Sequence, residues 1–195
     1  MELDDAALER LVDRAKNGEA EAFGELFDRY HVPVYRYIAS RVVRPSDAED
    51  LTQTVFVKAL EALPRYQLRG VPFGGWLFRL ARNTVIDFAR TRRDHVEFEA
   101  LLERPSDDGA PDALVALRQD VAEVRTALAR LTEEQREAIS LRFFAGLSAR
   151  EAAIAMGKQE GTIRGLQFRA IAALRRHLQA GDPDAAVALT AISEL

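Results

Sequence analysis

The sequence predicts an all-α protein of two small helical domains joined by a flexible acidic linker. Three observations predict it. Apolar residues recur at helical spacing, and no segment alternates with period two for long enough to make a strand. Helix start and stop signals punctuate the chain at regular intervals. Charge is segregated: seven arginines between 64 and 93 stand against Asp87 alone, five basic residues between 157 and 178 stand against Glu160 alone, and nine acids between 94 and 123 face only Arg104 and Arg118. The net charge of −4 conceals two basic modules and an acidic strap, and the distribution says more about partners than the sum does.

The first helix spans roughly Leu3 to Lys16 and breaks at Asn17-Gly18. The second starts near Glu19 and carries Phe23, Leu26, Phe27, Tyr30, Val34, Tyr37 and Ile38, with Pro33 as a candidate kink. Pro45 and Ser46 open the third, where Ser46 to Glu49 has the spacing of a capping box. Its apolar stripe is Ala48, Leu51, Val55, Ala59 and Leu63, widened by Phe56 and Leu60, and Pro64 ends it. After a loop holding Gly70, Pro72, Gly74 and Gly75, a fourth helix runs from Trp76 to about Arg93. The pattern lapses from about His95, and the segment from Pro105 to Pro111 is a linker by composition. Order resumes near Asp120. Thr132 to Gln135 is a second capping box, before a helix ending at Gly146, and Ser148 to Glu151 is a third. Gly157 breaks that short helix, and a long one follows from about Glu160 to Leu178. The expected divisions are 1–94, 95–119, 120–180 and a tail at 181–195.

A hydrophobic content of 48% with 30% charged residues supports packed cores. The absence of cysteine excludes disulfides and thiolate metal sites and fits a reducing cytosol. No stretch approaches the roughly 18 uninterrupted apolar residues of a membrane helix. The start, Met1-Glu2-Leu3-Asp4-Asp5, is acidic where a secretion signal is basic. A soluble cytoplasmic protein is expected, with no cofactor, no metal and no small-molecule substrate. His31, His95 and His177 lie in different segments, and neither a nucleophile elbow nor a phosphate loop is present, so no catalysis is expected.

Ala149 to Phe168 fits a helix-turn-helix. Ala153 is small where the two helices cross, and Gly157 supplies the turn's positive φ. Ala152, Met156, Ile163 and Leu166 pin the second helix to the first, whose partner then presents its N-terminal end to a major groove. Lys158, Gln159 and Thr162 lie at the entry. Arg164 and Gln167 are long enough to reach bases, and Arg169, Arg175 and Arg176 suit phosphates.

The run from Leu131 to Ala153, LTEEQREAISLRFFAGLSAREAA, resembles region 4 of sigma-70 family factors. Taken alone it also resembles the LuxR-type response-regulator domain. The N-terminal half separates the two: Asp47-Ala-Glu-Asp-Leu-Thr-Gln53 with Phe56 resembles the family's region 2.2, and Phe73-Gly-Gly-Trp-Leu-Phe-Arg-Leu-Ala-Arg-Asn-Thr-Val-Ile-Asp87 with Arg90 resembles regions 2.3 and 2.4. In this order, over about residues 19 to 178, the blocks are similar to the extracytoplasmic-function group.

The resemblance implies a region 2 helical bundle, a region 4 helix-turn-helix, and two partners: core RNA polymerase (its clamp coiled coil and flap) and promoter DNA. Asp47, Asp50, Gln53 and Thr54 would meet the polymerase. Trp76, Arg79, Arg82, Asn83, Asp87 and Arg90 would hold the −10 element as a single strand, by stacking and a basic groove. Lys158, Gln159, Thr162, Arg164, Gln167 and Arg169 would read the −35 duplex. The acidic linker is similar to the segment that threads the polymerase, where its charge could mimic nucleic acid. Factors of this type are often held by an anti-sigma protein, which this sequence does not identify, and one copy per polymerase implies a monomer. Four departures stand out: Thr54 where glutamate is common, Lys158 where an apolar residue is usual, Gln159 where serine is usual, and Gly165 to Phe168 in place of a common S-R-L-H. The competing readings are a one-component regulator, which binds duplex DNA without polymerase, and an all-α adaptor, which needs no clustered arginines.

Overall fold

The computed structural model describes residues 5–67, 70–95 and 128–179. All the regular elements among them are helical. The N-terminal half holds α1 (Asp5–Lys16), α2 (Ala20–Ala39), α3 (Pro45–Ala62), a 3-10 turn (Leu63–Arg65) and α4 (Phe73–His95). The C-terminal half holds α5 (Glu133–Ile139), a π turn continuing it (Ser140–Phe144), α6 (Ala149–Met156) and α7 (Glu160–Gln179). The expected linker at 95–119 falls, after His95, outside the described residues, as do the resumption at Asp120 and the tail at 181–195.

Helical periodicity and packing agree through most of the chain. Leu11, Val12 and Ala15 of α1, Leu26, Val34, Tyr37 and Ile38 of α2, and Ala48, Leu51, Val55, Phe56 and Ala59 of α3 are buried. On α4 the buried face is Phe73, Leu77, Phe78, Ala81 and Val85, the stripe that a 3.6-residue repeat turns inward. Gly18 ends the first turn at φ 90, and α2 runs through Pro33 as one helix.

Three details depart from the sequence reading. The capping box at Ser46 does not form: Arg44 is the N-cap, without a side-chain cap bond, and Pro45 occupies the first helical turn. Proline's fixed φ and missing N–H favour that position, which pushes Ser46 inside the helix. Leu60 does not widen the buried stripe; it stands 54% exposed. And α4 begins at Phe73, three residues before the expected start, taking in Gly74 and Gly75. The reason lies in another part of the chain. A Cβ on Gly75 would sit 3.1 Å from the Cβ of Ile154, and one on Gly74 would meet the Glu151 carboxylate, so α4 and α6 pack backbone to backbone there. The glycines are helical and provide close approach rather than a turn.

The other two capping boxes form. Thr132 and Gln135 exchange bonds at the start of α5, and Ser148 and Glu151 do so at the start of α6. Gly157 takes the left-handed conformation, φ 63 and ψ 37, and the Lys158 N–H closes on the Ala153 carbonyl at 2.9 Å, ending α6 sharply. Ala152, Ala153, Met156, Ile163 and Leu166 are buried at the crossing, as the helix-turn-helix requires. The two halves share a core that runs from Leu11 to Leu166, while a smaller cluster of Leu128, Leu131, Ile139, Phe144, Ala170 and Leu174 closes the far end of α7.

Candidate nucleic-acid interface

On α4, the face opposite the core carries Arg79, Asn83, Asp87 and Arg90, all exposed. Their spacing of four, four and three residues lines them along the helix. Asp87 and Arg90 are 3.4 Å apart. Trp76 is half-buried at one end of this row, its ring 4.8 Å from Tyr66 and 5.4 Å from Phe73, so it belongs partly to the core and keeps one edge open. Arg82 does not join the row. Its Nε lies 3.5 Å from the buried Glu137 carboxylate of α5. A basic, amphipathic surface with one aromatic edge has what sequence-tolerant single-strand binding needs: charge along a groove and a stacking platform.

The helix-turn-helix carries the second surface. Gln159, Thr162, Arg164 and Arg169 are exposed at the start and outer side of α7, and Gln167 is half-buried. Each long cation near the entry has an acid at hand. Arg164 reaches Glu160 one turn back, at 2.5 Å, and Lys158 reaches Glu134 of α5 at 2.7 Å, which lowers the Glu134 pKa. These pairs are exposed, so they bind weakly and yield readily to phosphate. A cleft of about 580 Å³ opens between α6 and α7, lined by Arg142, Arg150, Arg164 and Phe168 among others.

Sequence reasoning passed over two residues here. Arg142 donates from Nε to Gln167 at 3.2 Å, so it fixes the side chain expected to reach a base. Phe168 is 76% exposed, and that follows from the apolar pin standing at Leu166. The displaced S-R-L-H pattern was the available signal.

On α3, Asp50, Gln53 and Thr54 are exposed together, with Val57 and Leu60 extending the same side apolarly. Asp47 stands apart from them. Its side chain is only 13% exposed, 2.5 Å from Arg92 of α4 and 3.3 Å from Arg44. It ties the start of α3 to the end of α4. No group of His, Cys, Asp and Glu that could hold a metal ion occurs among the described residues, and no helix among them is long and apolar enough to cross a membrane.

Residues 26–95 match the family Sigma-70 region 2, and residues 127–176 match Sigma-70, region 4. The chain is 41% identical over 177 residues to the ECF RNA polymerase sigma factor BldN of Streptomyces coelicolor, covering 90% of this chain and 67% of that one. It is 39% identical over 175 residues to the ECF RNA polymerase sigma factor ShbA of Streptomyces griseus, covering 85% and 92%. Among solved structures it resembles CnrH in complex with the cytosolic domain of CnrY, with a TM-score of 0.65 and 30% identity over 87% of this chain and 96% of that one. It also resembles the sigma factor RpoE in complex with the anti-sigma factor NepR from Bartonella quintana, with a TM-score of 0.63 and 25% identity over 82% and 98%. Two basic helical surfaces in the family's order, matched region by region and by relatives along most of the length, place this chain in the sigma-70 family, as an RNA polymerase sigma factor of the extracytoplasmic-function group.

Proposed function

We propose that the protein joins core RNA polymerase through the outer face of α3 and carries it to promoters that it reads with two separate surfaces. Asp50, Gln53 and Thr54, flanked by Val57 and Leu60, form the polymerase-binding side. Asp47 acts through Arg92, by holding α3 against α4. Trp76, Arg79, Asn83, Asp87 and Arg90, joined by Arg82, take the −10 element as a single strand. Opening the duplex costs a few kcal/mol per extruded base, and a polar pocket that reads the base edge offsets that cost. Asn83 both donates and accepts, which suits such an edge. Lys158, Gln159, Thr162, Arg164, Gln167 and Arg169 take the −35 element as a duplex, with region 2 over 1–94 and region 4 over 120–180 as the working units. The protein performs no catalysis of its own and acts in the cytoplasm, where polymerase is. An anti-sigma protein as an additional partner is supported by the likeness to RpoE, whose structure is a complex with the anti-sigma factor NepR.

The observation that carries this reading is the exposed row Arg79, Asn83, Asp87 and Arg90 on the same chain as a capped helix-turn-helix. Mixing the protein with core polymerase should give a stable complex by size exclusion and a promoter-dependent run-off transcript. Asn83→Ala and Arg164→Ala should each lower that transcript about 5- to 150-fold, the loss of a base contact of ~1–3 kcal/mol, with the polymerase complex intact. Tight duplex binding by the protein alone, without a polymerase complex, would replace this reading with a one-component regulator.

A further inference from the structure

α7 turns Ile163, Leu166 and Ala170 inward, all of them buried. With the apolar contact made by Leu166, position 167 is free to be polar. Gln167 stands beside the stripe, half-buried, at the edge of the cleft that it shares with Arg142, Arg164 and Phe168. Its carboxamide is held from inside the protein: Arg142 Nε donates to Gln167 Oε1 at 3.2 Å. Arg142 is itself fixed. Its Nη1 donates to the Leu147 carbonyl, just before α6 begins. Its backbone belongs to the π turn, which closes with the Ala145 N–H on the Ser140 carbonyl at 3.1 Å. A guanidinium is planar and its N–H groups point in fixed directions, so the bond to Leu147 sets where the Nε–H points.

These two bonds decide which end of the amide faces outward. A guanidinium donates and never accepts, so the amide oxygen is the end that faces Arg142. Turned over, the amide would set N–H against N–H. The amide –NH2 is left for whatever enters the cleft. Glutamine ordinarily reads adenine with both ends of its amide, the oxygen accepting from N6–H and the nitrogen donating to N7. An amide whose oxygen is turned to Arg142 has lost the edge that this pairing needs. Guanine presents two acceptors in the major groove, N7 and O6, which suit a group that only donates. Adenine sets its own amine beside N7, so donor meets donor there.

We infer that Arg142 is a positioning residue for promoter recognition: it holds Gln167 as a donor only, so that at the base pair Gln167 reaches, the protein selects guanine over adenine. The inference deepens the reading of α7 as the −35 helix and rests on it. Arg142 touches no base in this role. It acts through the orientation of an amide 25 residues away, supplied by a different helix. The selectivity therefore belongs to the pair, and neither side chain would produce it alone.

The test uses holoenzyme assembled from the full chain and core polymerase. The template is one from which wild type initiates, carrying in turn every single base-pair change across its −35 element. Run-off yields should reveal one base pair at which guanine exceeds adenine by at least ~5-fold, the low end of what a good base contact contributes. Gln167→Ala should erase the preference at that base pair and leave the others. Arg142→Met frees the amide oxygen and should bring adenine level with guanine or above it at the same base pair. An arginine with a structural role alone would instead lower every template by the same factor. Gln167→Glu keeps a partner for Arg142 but has no donor, so it should lose guanine and favour cytosine, whose N4 amine donates. Three results overturn the inference: no change of preference in Gln167→Ala, adenine equal to or above guanine in wild type at the base pair that Gln167→Ala affects, or an undiminished guanine preference in Arg142→Met. Should Arg142→Met fail to fold, Gln167→Glu decides: a switch to cytosine supports the inference, and retained guanine overturns it. Wild-type yields indifferent to every change across the −35 element count against the reading of α7 instead.

Discussion

α4 and α7 are the two basic helices of this protein, and they hold their charges in different ways. On α4 two arginines reach across the fold, Arg82 to Glu137 of α5 and Arg92 to Asp47 of α3, while Arg90 pairs with Asp87 on the helix itself. On α7 and its entry the pairs are short-range or exposed: Arg164 with Glu160 on the same helix, and Lys158 with Glu134. The difference follows from position. α4 is packed by α2, α3 and α6, so much of its surface faces protein. α7 leans on α5 and α6 by one side only, and its first turns look outward. A central helix spends some of its cations on architecture. A peripheral recognition helix keeps its cations in weak pairs that DNA can displace.

The largest expected effect compares one phenylalanine from each helix. Phe78 of α4 is fully buried, with Tyr37 packed edge-on at 5.7 Å between ring centroids. Phe78→Ala should cost about 3–5 kcal/mol in urea unfolding, since it leaves a cavity where several helices meet. Phe168→Ala, on an exposed position of α7, should change stability by less than about 0.5 kcal/mol and register only in promoter binding. Similar stability losses for the two would erase the contrast between a core helix and a presenting one.

The next comparison is between arginines. Arg92→Ala removes the nearer of the two cations flanking the mostly buried Asp47. The expected cost is about 1–2 kcal/mol, a charged hydrogen bond discounted for the partial exposure of Arg92. Arg164→Ala removes an exposed pair one helical turn apart, worth about 0.3–0.5 kcal/mol. Measured side by side by thermal or chemical unfolding, the first should exceed the second. The order in promoter binding should be reversed.

The same contrast separates what could be read in the sequence from what could not. Local rules worked where the cause was local. Thr132, Ser148 and Gly157 mark helix ends because capping and positive φ are settled within four residues. The helix-turn-helix was legible for the same reason, with Ala153, Ile163 and Leu166 buried as expected. At Ser46 a second local rule, proline's preference for the first turn, overrode the capping pattern. What escaped was settled by distant partners. Gly74 and Gly75 look like a turn until α6 is laid against them. Asp47 looks like a surface acid until Arg92 arrives from 45 residues on. Glu137 reads as a solvated helix residue, and nothing nearby in sequence announces that Tyr37, 100 residues earlier, donates to it. The exposed row on α4 and the entry of α7 were visible as surfaces. The inward turn of Arg82 was not.

The last comparison is one of pH, and it tests whether the contact between the regions is as buried as α4's own core. Burial, and after it the Glu137 carboxylate, push the Tyr37 hydroxyl well above its ordinary value. Burial, with smaller contributions from Tyr30 and Glu9, raises Tyr66 to about 12. An unfolded tyrosine ionises near 10. Below that both states hold the proton and stability does not change with pH through these groups. Above it the unfolded chain loses its protons first, the folded chain binds more, and stability falls as pH rises, by at most about 1.4 kcal/mol per unit for each tyrosine. For Tyr66 that fall should extend to about pH 12. The two groups differ in what they hold. Tyr66 packs on Phe73 and Trp76 inside region 2, while Tyr37 Oη meets Glu137 of region 4. Unfolding midpoints followed from about pH 9 upward should decline in wild type. Tyr66→Phe should flatten the part of the decline that belongs to region 2, and Tyr37→Phe the part that accompanies separation of the regions in scattering. A tyrosinate absorbance titration in which the hydroxyl lost in Tyr37→Phe ionises near 10 in the folded wild-type protein would mean that the contact between the regions opens freely to water.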